Sequence, residues 1–190
     1  MRRIVVGVSG ASGAAFAFRT LERLAGLDDV ESHLVVTSAG KTAIGLESER
    51  SVGDLESLAD VVHPIKNVAA SIASGSFATH GMIVVPCSIR VLSDVANSRG
   101  ADLLTRAADV TLKERRPLVL MVRETPFHLG HLRLMAGVVE MGGIIYPPVP
   151  AMYIKPATID DLVAHTVDRA LEHLGIDPPD SARWTGPGSM

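Results

Sequence analysis

A single cysteine, Cys87, stands in a chain of 190 residues, which excludes an internal disulfide. Aromatic residues make up only 4%, so the core must be packed by Ala, Val, Leu and Gly, as suits helices laid closely on a sheet. No apolar run approaches the roughly 18 residues of a membrane span. Positive charge is not in excess either. The net charge of −3 leaves no basic stripe for nucleic acid, so the cations must serve something local, and a small anionic ligand is expected. The apolar stretch Ile4–Val8 behind Met1-Arg2-Arg3 is too short for a signal peptide, and a cytoplasmic location is expected. What the chain does have is 47% hydrophobic and 21% charged residues, a balance and a length suited to one α/β domain.

Short β-branched runs alternate with longer amphipathic stretches. Strands are predicted at Arg3–Val8, Glu31–Thr37, Gly81–Pro86, Leu118–Val122 and Gly143–Tyr146. Their near-continuous hydrophobicity is that of parallel strands buried on both faces. Helices are predicted at Gly13–Leu24, Ser38–Glu47, Asp102–Arg115, Phe127–Met141 and Thr158–Leu174, the last opened by a Thr158/Asp161 capping box. The alternation predicts a doubly wound, Rossmann-like parallel sheet flanked by helices. One domain over residues 1–176 is expected, followed by a Pro- and Gly-rich tail, 177–190, that packs at the active site or on a neighbouring subunit.

Most of the chemistry-bearing residues fall at predicted turns. The turn Gly7-Val8-Ser9-Gly10-Ala11-Ser12-Gly13 joins a strand to a helix, where small residues let backbone amides approach a ligand and the helix amino end favours phosphate. It lacks both the Gly-Lys-Ser/Thr ending of a P-loop and the usual dinucleotide glycine spacing, and a plain tight turn is the alternative. Ser12 either bonds a ligand or caps the helix. Cys87 has no histidine or acid at a motif spacing and is read as packing, whereas Ser88, at the end of the same strand, faces the ligand crevice. The seven histidines form no zinc motif, and no metal is predicted. The run from Arg106 to Pro126 concentrates cations: Arg106 and Lys113 are two helical turns apart on one face, and Arg123-Glu124 leave the carboxyl end of the next strand. Glu47 ends a helix beside the first turn, and Glu124 either shuttles a proton or holds the arginines in place.

In order along the chain, Ser9-Gly10-Ala11-Ser12-Gly13, Ala73-Ser74-Gly75-Ser76, Pro86-Cys87-Ser88, Arg106 to Pro117, Arg123-Glu124-Thr125-Pro126, Pro150-Ala151-Met152-Tyr153 and Arg183-Trp184 resemble the UbiX/Pad-type flavin prenyltransferases, including those that accompany hydroxyarylic acid decarboxylases. That resemblance implies an enzyme for which reduced FMN is a substrate. A dimethylallyl group from dimethylallyl phosphate would be joined to flavin N5 and C6, giving prenylated FMN, the cofactor of a UbiD-class decarboxylase. It also implies a metal-free homo-dodecamer built from trimers, in which neighbouring chains complete each site.

Carried onto this chain, the resemblance sets Gly10, Ala11, Ser12, Thr37, Ser88 and Arg106 at the flavin. Ser74, Lys113, Arg123, Glu124, Tyr153, Arg169 and Trp184 fall at the isoprenyl phosphate. Lys113, Arg123 and Arg169 would neutralise the departing phosphate, Glu124 would orient the arginines or relay a proton, and Trp184 would face an allylic cation. Glu47 and Ser12 would assist proton movement at C6. Arg115 and Arg116 are left as surface charge. The chain departs from the family pattern at Leu134, where Asn is common, at Met152, where Phe is usual, and at Ser38, where Lys is frequent. Two other readings remain: a flavin-dependent cysteine decarboxylase of the same fold, whose hallmark histidine and Pro-Ala-Ser-Ala-Asn motif are missing here, and a non-catalytic flavin-binding subunit of a decarboxylase.

Overall fold

A computed structural model describes residues 1–178 together with Arg183 and Gly186, and Trp184 lies outside the described residues. Six parallel strands form one sheet: β1 (Arg2–Val8), β2 (Val30–Val36), β3 (Val61–His63), β4 (Gly81–Cys87), β5 (Leu118–Val122) and β6 (Ile144–Ile145). Their order is β3-β2-β1-β4-β5-β6. Chain direction across the sheet therefore reverses between β1 and β4, which opens the crevice where such sheets take ligands.

Among the described residues, seven α-helices cover the two faces: α1 (Ala14–Ala25), α2 (Ser38–Glu47), α3 (Val52–Glu56), α4 (Ile89–Ala96), α5 (Leu103–Lys113), α6 (Leu129–Glu140) and α7 (Ile159–Glu172). Alternation along β1 assigns them. Ile4, Val6 and Val8 pack with α1 and α7 through Phe18, Leu21, Val167 and Leu171, while Val5 belongs to the opposite core with Leu92, Leu104 and Val138. Gly7 has no side chain because Leu104 fills that space: a Cβ there would lie 3.0 Å from the leucine.

The five predicted strands and five predicted helices are all present, with ends shifted. Arg115 adopts φ 54°, so α5 stops at Lys113 instead of Arg115. His128 caps α6 by accepting the Gly130 N–H at 3.0 Å, which moves its start beyond Phe127. The predicted capping box of α7 is formed, Thr158 Oγ1 accepting from Asp161 N and Asp161 Oδ2 from Thr158 N. One strand and two α-helices were not expected, nor were short 3-10 turns at Ser71–Ala73 and Met152–Ile154. β3 has three residues and α3 five, too short for a period to register, whereas α4 carries the signal of Ser88 followed by Val91, Leu92 and Val95.

Helices α1 and α7 are fastened by Arg23, whose Nε and Nη2 donate to the two oxygens of the buried Asp168 at 2.8 and 2.9 Å. Removing the arginine leaves a buried carboxylate with its fork undone. Arg23→Ala is expected to cost about 3 kcal/mol in denaturant unfolding at fixed protein concentration. A loss below about 0.5 kcal/mol would class the pair with ordinary surface ion pairs.

Candidate active site

At the switch point, Ser9 joins the two strands that part there. Its hydroxyl donates to Pro86 O and accepts from Ser88 N, both at 2.8 Å, and its amide donates to Pro86 O at 3.3 Å. Ser9 is 1% exposed, so these bonds are shielded from water. The tie aligns the turn after β1 with the turn after β4. Ser88 then caps α4, accepting from Val91 N at 3.4 Å, and Arg123 N donates to Cys87 O at 3.1 Å, which adds the end of β5 to the same rim. Cys87 itself is fully buried, and burial pushes its thiol far above the ordinary range, in keeping with a packing role.

Thr37 caps α2 by accepting from Gly40 N at 3.0 Å. The start of α2 is pressed onto the end of β1: a Cβ on Gly10 would collide with the Ala39 methyl, and one on Gly40 would lie 2.8 Å from Val8 O. Gly10, in the turn after β1, is thus required by helix packing within the chain. Glu47, at the far end of α2, reaches back to α1, where Oε2 accepts from Gly13 N at 2.8 Å and Ala14 N at 3.0 Å. Burial raises its pKa, but those two amides, the Ser12 hydroxyl and Arg123 outweigh burial and hold it below the ordinary 4.5. The amino end of α1, which the sequence suggests as a phosphate site, thus carries a carboxylate of the chain itself.

Arg106 and Lys113 do share a face of α5, and that face covers the Ser74 segment. Arg106 Nε donates to Ala73 O at 3.2 Å while its Nη1 pairs with Asp109 at 2.6 Å. Lys113 pairs with Glu114, and both lie so close over Gly75 that a Cβ there would collide with them. Ser74 and Ser76 hydroxyls are 2.9 Å apart beside this pair. Arg116 differs from the surface charge expected of it: it is half-buried and donates to Gly75 O at 2.8 Å, Phe77 O at 3.0 Å and Thr79 Oγ1 at 3.2 Å. Signals for this lay in the small-residue run 73–76, whose carbonyls need donors.

Lys113 and Arg123 are not neighbours. Lys113 closes α5 five residues before the amino end of β5, and Arg123 follows its carboxyl end. β5, with five residues at about 3.3 Å each, puts roughly 16 Å between those two ends. A cavity of about 720 Å³ adjoins Lys113, Arg116, Glu140 and His173 on the amino-end side, away from the switch point. Glu124 folds back on its own loop, Oε1 accepting from Thr125 N at 2.9 Å.

Tyr153 and Arg169 form a third group. Tyr153 Oη lies 3.0 Å from His165 Nε2, Arg169 is one turn further along α7, and its guanidinium pairs with Glu172. Leu134 packs against the core of α4, α5 and α6, and Met152 is 67% exposed. The chain therefore presents its candidate residues as three separate sets.

Residues 1–170 match the model of the Flavoprotein family. The flavin prenyltransferase UbiX of Neisseria meningitidis serogroup B is 56% identical over 186 residues, 98% of each chain. The chain belongs to the UbiX flavin prenyltransferases. A solved structure of AnUbiX (PadA1) in complex with FMN and dimethylallyl pyrophosphate matches with a TM-score of 0.95 at 45% identity, covering 97% of this chain and 98% of that one. The dodecameric FMN-dependent UbiX-like decarboxylase of Escherichia coli O157:H7 matches with a TM-score of 0.94 at 43% identity, over 97% and 100%. Membership in the UbiX family sets aside the cysteine-decarboxylase and passive-subunit readings. The ionised Glu47 should therefore support the turn after β1 in a pH-dependent way.

A carboxylate held below its unfolded pKa stabilises the fold above that value and loses the effect as pH falls through its folded value. Glu47→Gln is therefore expected to lower the melting temperature at neutral pH, with the gap to the unaltered protein closing below about pH 4.5. A gap that stayed constant through the acid range would contradict the capping role.

Proposed function

We propose that this chain transfers a dimethylallyl group from dimethylallyl phosphate to N5 and C6 of reduced FMN, and that the prenylated FMN serves a UbiD-class decarboxylase. One observation carries the reading: nearly the whole chain matches a structure that binds FMN with a dimethylallyl pyrophosphate. The residues at the switch point fit a flavin. Gly10, Ala11, Ser12, Thr37 and Ser88 offer small side chains, hydroxyls and backbone amides along one rim. Reduced FMN, when bound, supplies the two positions that receive the prenyl carbons.

For the chain's own groups the roles follow from charge. Lys113, Arg123 and Arg169 hold the donor phosphate and stabilise the negative charge that builds on it as the allylic C–O bond breaks. Tyr153 and Ser74 donate to the same phosphate, Glu124 orients Arg123, and Arg106 pairs with the flavin's phosphate. Ser12 stays with the flavin rim. Glu47 is bound to two amides and held ionised, so we assign it to the turn's geometry and leave proton removal from C6 to the released phosphate.

Because the three sets lie apart, this reading needs neighbouring copies to unite them, in a homo-oligomer of the dodecameric kind. Helix α6 supports such an assembly. Only Val138 of its twelve residues is buried, while Leu129, Leu132 and Val139 are 59, 50 and 55% exposed, an apolar face that a monomer rarely leaves to water. Most of the tail 177–190 lies outside the described residues. No helix among the described residues is long and apolar enough to cross a membrane, and a cytoplasmic location accords with the use of reduced flavin.

Anaerobic incubation with reduced FMN and dimethylallyl phosphate, followed by mass spectrometry, should show a flavin heavier by one prenyl unit. No gain with either the monophosphate or the diphosphate would overturn the function. Lys113→Ala and Glu124→Gln should each retain FMN binding and lose prenyl transfer by about 100-fold or more. Loss of FMN binding in both would show that flavin and phosphate residues are wrongly divided.

A further inference from the structure

Tyr153 meets His165 at a distance that requires one hydrogen bond, and the imidazole tautomer decides which partner gives the proton. Tyr153 Oη and His165 Nε2 are 3.0 Å apart, and the rings stand edge to face with centroids 5.5 Å apart at 86°. His165 is 7% exposed, and its Nδ1 is buried with no hydrogen-bond partner among the described residues. Around the ring stand Arg169, Asp168 and Glu172 from its own helix and Tyr153 from the turn Met152–Ile154 that packs against it. Burial, then Arg169, holds the imidazole below its ordinary 6.5, so the ring is neutral at pH 7 and carries one N–H.

With that proton on Nδ1, a buried donor would have no acceptor among the described residues, an arrangement that folded proteins avoid. With the proton on Nε2, Nδ1 is left as a bare acceptor, a milder omission, and Nε2 has Tyr153 Oη to donate to. A phenol holds a single proton. When its oxygen accepts from His165, that proton points away from the histidine.

We propose that His165 is a positioning residue which, by donating from Nε2 to Tyr153, aims the tyrosine O–H at the phosphate of the prenyl donor. This rests on the prenyltransferase reading above for its target. In the opposite tautomer the Tyr153 proton would be spent on His165, and the phosphate would meet only lone pairs. His165 thereby converts Tyr153 from a mixed donor and acceptor into a donor committed to an anion.

Nitrogen-15 spectra of the intact, histidine-labelled assembly at neutral pH, with the His165 signals identified by their loss in His165→Gln, test the tautomer directly. A protonated Nε2 with an unprotonated Nδ1 is expected, and the reverse pattern overturns the proposal. Kinetics supply the second readout. His165→Leu should raise KM for dimethylallyl phosphate by about 10-fold with FMN binding unchanged. His165→Gln, which keeps an N–H of similar reach, should recover most of that loss. In a Tyr153→Phe background His165→Leu should add nothing; a full additional loss there would show that His165 acts without the tyrosine. Absence of prenyl transfer by the unaltered protein would overturn the functional reading instead, and the spectra would still decide the tautomer.

Discussion

The hydroxyl of Ser9, buried between the ends of β1 and β4, is the bond from which the candidate flavin rim hangs. Strands that diverge at a switch point leave their terminal carbonyls and amides without ladder partners, and Ser9 supplies both a donor, to Pro86 O, and an acceptor, to Ser88 N. With those ends fixed, the turn 10–13 and the cap of α4 face one crevice. The tight seat of α2 against Gly10 and the reach of Glu47 to Gly13 and Ala14 then fix the turn from the other side. An acid from α2 thus occupies the amino end of α1.

A parallel sheet also imposes the division of the remaining residues. A helix that connects two parallel strands runs back to the amino end of the sheet, so a cation at its last turn cannot stand with a cation at the end of the next strand. Lys113 and Arg123 are separated by this rule and not by an accident of side-chain placement. Arg106, Lys113 and Arg116 instead organise the segment 73–77, and Tyr153, His165 and Arg169 organise the edge next to α7. Each set is ordered within the chain by its own hydrogen bonds before any ligand arrives, which is the pre-organisation that electrostatic catalysis demands.

Much of this was legible in the sequence, for reasons that can be named. The five near-continuous apolar runs declared the strands because both faces of a parallel strand are buried, and Thr158 with Asp161 declared α7 because a capping box has a fixed spacing. β3 and α3 escaped because three and five residues carry no measurable period. At the site, the motifs identified the residue types and the family, but tertiary partners were hidden. Nothing in the spacing of Glu47 reveals that it caps a helix 33 positions earlier, or that Arg116 bonds carbonyls 39 and 41 positions away and a hydroxyl 37 away. The cation run between Arg106 and Arg123 looked like one cluster because sequence proximity was taken for proximity in space.

The central claim is that Lys113 and Glu124 act on one donor phosphate from different copies of the chain. It is tested most directly by mixing and reassembling two inactive variants, Lys113→Ala and Glu124→Gln. In a random mixture, about a quarter of the sites would draw both intact residues from different chains, and activity should return to about that fraction of the unaltered enzyme. A mixture as inactive as its components would contradict the account, since it would mean that each site takes both residues from a single chain.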